Sequence, residues 1–243
     1  GNCFMLAVID YLVSQAKQHP SFLNRVLSVF GAWQNFGTYG GKFIFNFNCG
    51  QITIDDFLPV DSHNELIFCK NNSTPSEFWP ALLEKACAKY FGSYKKMGEG
   101  GDPRLVLQEL FGSKVSLFDN ISPKIPNMAI CFIDDDTSDL EAVSSTNIVN
   151  KHAYSILDYN NHTITLKNPW QHTEYSRQIS QQNGCGHMSQ NSDGIFTMTW
   201  PQFKHEFKYV ISATWPHEFK FYWQPSLRNE CEPYFCEQHN TIL

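Results

Sequence analysis

The chain has 243 residues, 42% hydrophobic and 15% aromatic, with 18 Lys and Arg against 24 Asp and Glu for a net charge of -6. That is enough apolar material for a packed core, which excludes a chain disordered throughout, and the length suits one large domain or two small ones. No basic run exceeds a pair such as Lys95-Lys96, which argues against a nucleic-acid partner, and no apolar run approaches the ~20 residues of a transmembrane segment.

Residues 4–18 are apolar on most faces and predict a buried helix. Phe22, Leu23, Val26, Leu27, Val29 and Phe30 predict a second helix after Pro20. The period then changes: Phe43, Phe45 and Phe47 alternate, as do Ile52 and Ile54, and predict strands. Thr74-Pro75-Ser76-Glu77 is a helix start, with Thr74 as N-cap, Pro75 in the first turn and Glu77 reaching back as in a capping box. That helix runs to about Tyr90, and Gly92 ends it. Asp102-Pro103 opens a shorter helix that closes near Gly112. Strands then dominate, over 128–133, 153–159, 163–167, 194–199 and 208–214, with a short helix over 201–207. Asn160-Asn161 predicts a tight hairpin turn. Pro123 and Pro126 mark a boundary. The expectation is an α+β chain with a helical part over 1–126, a β-rich part over 127–215, and a tail over 216–243 that packs on the core or leads into a further domain. The start at Gly1 rather than Met reads as processing or as a piece of a longer chain.

Eight cysteines are sparse for a stapled scaffold of this length and include no Cys-x-x-Cys pair, so disulfides and a zinc site are both weak readings. Cys69, Cys87 and Cys131 lie in apolar patterns, as core thiols of a reducing compartment do. The N-x-S/T triplets at Asn71, Asn72, Asn120 and Asn161 carry weight only in a secreted chain. Cys3 differs. It starts a predicted helix, where the positive end of the dipole favours thiolate, the nucleophilic form of cysteine. The plain alternative is a core thiol that happens to start a helix. Most of the nine histidines lie in polar stretches. His152 instead begins the strand His152-Ala153-Tyr154-Ser155, and Asn168, in Lys167-Asn168-Pro169-Trp170, follows its partner strand. Pairing around Asn160-Asn161 puts residues 152 and 168 nearly opposite, so an amide oxygen can hold the imidazole in one tautomer under cover of Trp170. The plain alternatives are a strand-edge His and an Asn-Pro turn. A Cys at a helix start, then a His and an Asn far downstream, is the order of papain-type thiol chemistry.

These residues lie in longer motifs. Gly1-Asn2-Cys3-Phe4-Met5-Leu6-Ala7 resembles the nucleophile motif of the calpain family. Phe78-Trp79-Pro80-Ala81-Leu82-Leu83-Glu84-Lys85-Ala86 resembles its F-W-x-A-L-L-E-K-A helix. His152-Ala153-Tyr154-Ser155 is similar to its H-A-Y-S, Asn168-Pro169-Trp170 to its N-P-W, Asp193-Gly194-Ile195-Phe196 to its D-G-x-F, and Ile54-Asp55-Asp56-Phe57-Leu58-Pro59 to its D-D-x-L-P segment. The motifs run in family order over about residues 1–215.

The resemblance implies a papain-like cysteine protease core with the active site in the cleft between two subdomains. The helical one would bear Cys3, and the β-rich one His152 and Asn168. It implies an intracellular, cytoplasmic, calcium-regulated cysteine-type endopeptidase acting on protein substrates, with no cofactor required for the chemistry and Ca²⁺ as a regulator. Gly101 aligns with a cleft-lining glycine, Lys151 stands where the family has the Gly before its His, and Gln171 replaces the Gly after N-P-W. Gly101, Lys151 and Trp170 are the implied substrate-binding residues. Glu77, Glu174 and Asp193 match calcium ligands, but Gln181, Asn191 and Ile195 occupy other ligand positions. Ca²⁺ asks for about six to eight oxygens, several anionic, so a weak site is expected. The family's oxyanion-hole Gln would fall upstream of Gly1, and one such donor is worth about 10² to 10³ in rate, so these residues alone are expected to be slow. Two rivals stand beside this reading. One is a transglutaminase-like acyl transferase, which usually has Asp as its third residue. The other is a degenerate calpain-like module that binds proteins without cutting them.

Overall fold

A computed structural model describes residues 1–18, 42–69, 78–133, 143–171 and 193–215. Helix α1 is Cys3–Gln18, and a hairpin follows from β1, Lys42–Phe47, and β2, Gly50–Asp55. Helix α2 is Trp79–Phe91, α3 is Tyr94–Gly98, and α4 is Pro103–Leu105, which runs into a wider π turn over Val106–Leu110. Strands β3, Lys114–Phe118, β4, Met128–Phe132, β5, Ala153–Tyr159, and β6, Thr163–Lys167, come next. The chain ends its described part with β7, Ile195–Thr199, α5, Trp200–Glu206, and β8, Tyr209–Thr214. β3 to β8 form one antiparallel sheet in the order β3-β8-β4-β5-β6-β7.

The sheet separates two cores. On one side α1, α2 and the β1-β2 hairpin pack with Ala129, Ile130, Ala153, Ile211 and Ala213. The three alanines keep that face low, which lets a whole helix settle against it. Tyr154, Ile156, Ile164, Leu166, Phe196, Met198 and Phe203 fill the other side. Along β5 the faces alternate as a strand requires, Ala153 to one core and Tyr154 to the other. The β1-β2 hairpin is tied to α2 by Lys85, which pairs with Asp55, and by Lys89 Nζ, which donates to the Thr53 carbonyl at 2.9 Å.

Three features differ from the sequence reading. Strand β3 was not anticipated, although Val115, Leu117 and Phe118 are apolar: it is short, lies at the sheet edge and has no fully buried side chain. It precedes the expected boundary at 126/127 yet belongs to the same sheet as β8. The β5-β6 turn holds three residues rather than two, because Asn160 Oδ1 accepts from the backbone N–H of both His162 and Thr163 and draws His162 into the loop. The helix after Asp102 begins as expected, with that side chain capping Arg104 N–H at 2.8 Å, but its second half is π-helical. The expected helix after Pro20, residues 74–77 and the tail over 216–243 lie outside the described residues; helix α2 itself begins later than expected, at Trp79 with Phe78 as N-cap rather than Thr74. Among the described residues no helix is long and apolar enough to cross a membrane.

Candidate active site

Cys3 is the first residue of α1 and only 5% exposed. The carbonyl of Asn2 accepts from Met5 and Leu6 N–H, both at 3.1 Å, so Asn2 closes the helix start. The Asn2 side chain donates to Glu84 Oε1 at 2.5 Å, while Glu84 Oε2 accepts from Cys69 N–H at 2.9 Å. Phe4 packs edge-on against Phe91, with centroids 5.5 Å apart. A Cβ on Gly101 would lie 2.6 Å from the Phe4 ring, and one on Gly1 would lie 1.8 Å from the Gly98 carbonyl oxygen. The loop over 98–101 therefore wraps the segment on either side of Cys3, and the Phe4 ring alone explains why residue 101 is glycine.

The second half of the site stands at one end of the β5-β6 hairpin. His152 is 1% exposed and Asn168 is fully buried. His152 Nε2 and Asn168 Oδ1 are 2.8 Å apart, so the amide oxygen assigns the proton to Nε2. The Trp170 ring lies 4.4 Å from the imidazole and covers it, and Tyr154 meets it edge-on at 5.0 Å. The pairing is not the one expected from a two-residue turn. A register shift between Ile156 and Asp158 leaves Ser155 opposite Lys167, and that register extended outward sets His152 against Trp170. Asn168 reaches the imidazole diagonally, a separation that side chains on adjacent strands span. Asn168 is itself pinned: Oδ1 also accepts from Trp170 N–H at 3.0 Å, and its N–H donates to the Gly194 carbonyl at 2.8 Å. Gly194 has φ +80°, and a Cβ there would fall 2.6 Å from the Asn168 carbonyl oxygen and 2.8 Å from Gln171 Cα. Gly194→Ala is therefore expected to destabilise the chain by about 1–3 kcal/mol, read as a lower thermal midpoint; wild-type stability would contradict this account of Asn168.

Helix α1 and the hairpin meet across the first core: α1 packs along β5, and Ser155 Oγ donates to the Ala7 carbonyl at 2.7 Å. Lys151, half-buried beside His152, has φ +52°, and Gln171 has φ +59°. Both hold left-handed conformations with side chains in place of hydrogen. Three other thiols behave as core groups: burial pushes Cys69, Cys87 and Cys131 well above the ordinary cysteine range, while Cys49 is half-buried. His63, His162 and His205 are exposed, as their polar surroundings suggested. Of the three candidate calcium ligands, Glu77 and Glu174 lie outside the described residues. Asp193 is exposed, and its Oδ1 accepts from Ile195 N–H at 3.0 Å. Among the described residues no group of three or more His, Cys, Asp or Glu could hold a metal.

One residue of the site was missed. Glu84 is completely buried on α2, and burial pushes its carboxyl up to about 7 against the two hydrogen bonds from Cys69 and Asn2. The signal was in the sequence: a glutamate within the apolar run Pro80-Ala81-Leu82-Leu83, followed by Ala86-Cys87-Ala88, has no exposed face to occupy.

The family profile of the calpain family cysteine proteases matches residues 1–213. The chain belongs to the calpain family of cysteine proteases. It is 30% identical to Calpain-13 of Rattus norvegicus over 72% of this chain and 28% of that protein. It is 28% identical to the Calpain-1 catalytic subunit of Homo sapiens over 85% of this chain and 33% of that one. With Calpain-type cysteine protease ADL1 of Oryza sativa subsp. japonica it shares 24% identity over 96% of this chain and 12% of that protein. The chain thus spans between 12% and 33% of the length of these calpain relatives.

Proposed function

We propose that this chain is the catalytic part of a calpain-type cysteine endopeptidase, with Cys3 as nucleophile, His152 as acid and base, and Asn168 as the group that orients the imidazole. The observation that carries the reading is the buried His152–Asn168 hydrogen bond under Trp170, on a hairpin packed against the helix that Cys3 begins. With the proton on Nε2 fixed by Asn168, Nδ1 is the nitrogen that takes the Cys3 proton. The thiolate attacks the peptide carbonyl, and His152 returns the proton to the departing amine, leaving a thioester. Water, deprotonated by His152, then displaces Cys3 and releases the new carboxyl end. Cys3 begins α1, so the positive end of that helix favours negative charge on the thiolate and on the attacked carbonyl oxygen.

Gly101, Lys151 and Trp170 are proposed to border the substrate. The architecture is read as papain-like, with the division between subdomains at Gly112-Ser113, ahead of β3, since β3 joins the large sheet. Among the described residues Cys69, Cys87 and Cys131 stand in no disulfide, which suits a reducing, intracellular compartment. Calcium regulation rests on the family alone.

Cleavage of casein by the reduced chain, extended upstream along its natural sequence, with and without Ca²⁺, tests the proposal. Cleavage lost in Cys3→Ala is the expected result, and residues 1–243 alone are expected to cut more slowly than the extended chain. Ca²⁺ at low millimolar concentration is expected to raise the thermal midpoint by far less than a ~4 kcal/mol linkage effect would. Folded, reduced protein that cuts nothing in either condition would make the chain a non-catalytic binding module.

A further inference from the structure

Lys167 is the last residue of β6, directly before Asn168, and its Nζ lies 2.5 Å from Asp10 Oδ1 on α1. The two side chains are 20% and 21% exposed, so the pair is largely withdrawn from water. Asp10 lies seven residues from Cys3, about 10 Å along the helix axis. A second link lies beside the first. Ser155, the register partner of Lys167, donates to the Ala7 carbonyl at 2.7 Å. Ala7 and Asp10 are three apart and share one face of α1. A single cross-strand pair thus grips one face of the nucleophile helix at two points, one turn apart. Beyond that grip each strand continues only a few residues, to His152 on one side and Asn168 on the other.

The pair is not explained by stability. Withdrawing a carboxylate and an ammonium from water costs several kcal/mol per ion, which mutual attraction often fails to recover. Asp10 shows this: burial holds its carboxyl above the ordinary range even though Lys167 and Lys17 both act to lower it. An ion pair kept at no gain in stability is most useful where it fixes geometry.

We propose that Asp10 and Lys167, together with Ser155 and the Ala7 carbonyl, form a clasp that sets the distance between the Cys3 helix and the His152–Asn168 hairpin. Asp10 and Lys167 are positioning residues: neither touches the reacting atoms. The clasp deepens the protease reading and rests on it for its consequence, but its geometry can be tested without turnover.

The test uses Asp10→Asn, Lys167→Met, Ser155→Ala and the charge-exchanged double variant Asp10→Lys/Lys167→Asp. Each is checked for fold by circular dichroism. Two quantities are read: the rate of Cys3 alkylation by iodoacetamide, followed by mass spectrometry with Cys49 as internal reference, and kcat and KM on a fluorogenic peptide. The clasp predicts that each folded single variant slows Cys3 alkylation relative to Cys49. It also predicts that kcat falls about tenfold or more while KM changes little, since misplacement of reacting groups by ~1 Å costs about 10² in rate. Charge exchange recovers most of the loss. Unchanged alkylation in the single variants overturns the clasp, as does a loss that charge exchange fails to recover. Should Cys3 alkylation follow the pair while wild-type protein cuts no peptide, the clasp stands and the protease reading falls.

Discussion

Cys3→Ala and His152→Ala are each expected to abolish cleavage of a protein substrate, a loss of about 10⁴-fold or more in kcat. The thiol is the only covalent participant in the proposed cycle, and the imidazole carries every proton in it. Because the two act as a unit, the double variant is expected to be no worse than either single one. Asn168→Ala differs. It removes the acceptor that fixes the ring but leaves both reacting groups, so a loss of about tenfold to a hundredfold is expected. The three side chains are buried, so truncation also risks the fold. Cys3→Ser, nearly the same size, separates the two effects: it keeps the packing and removes the soft nucleophile. Folded protein with wild-type turnover in Cys3→Ala or His152→Ala would end the assignment. The measurement is initial rate on casein, with circular dichroism alongside.

The second large effect concerns stability rather than rate. Burial pushes the Glu84 carboxyl up to about 7 in the folded chain, against its ordinary 4.5. Between those values the folded state keeps a proton that the unfolded state has lost. Stability from this group is therefore complete below about pH 4.5, falls as pH rises through the window, and is fully lost above about pH 7. A shift of this size corresponds to a loss on the order of 3 kcal/mol between pH 4.5 and pH 8. Glu84→Gln cannot ionise. It is expected to remove that component of the pH slope, whatever its stability at a single pH, since one of its two acceptors becomes a donor facing Cys69 or Asn2. Urea midpoints at pH 5, 6, 7 and 8 for both proteins supply the comparison. Parallel curves would show that Glu84 does not carry the proton. Since Asn2 is held by this carboxyl, the variant is also expected to disturb Cys3.

Much of this was legible beforehand, for identifiable reasons. The α1 and α2 patterns are long and periodic, and Gly92 ends α2 with φ +103°. The β5-β6 hairpin is marked by alternating burial along β6 and by a run of four buried residues that opens β5. Its register was less legible, because the side chain of Asn160 enlarges the turn and a bulge then slips the pairing, neither of which periodicity records. The meeting of His152 with Asn168 survives only because Asn168 reaches diagonally. Strand β3 escaped notice because an edge strand needs few buried side chains. The Asp10–Lys167 contact joins residues 157 positions apart, and nothing local in either segment announces the other.

The left-handed backbone at Lys151 and Gln171 bears on how the wall beside His152 and Asn168 can move. A glycine at either point could drift across a wide range of angles. A lysine or glutamine cannot: outside the small left-handed well its next allowed regions lie across a steric barrier, and holding that well costs about 1 kcal/mol or more at each site. The surrounding packing supplies that energy. Any departure of the loops that bracket His152 and Asn168 would then be a jump between discrete backbone states. The wall they form should behave as a catch that is either set or sprung, with no continuous swing between.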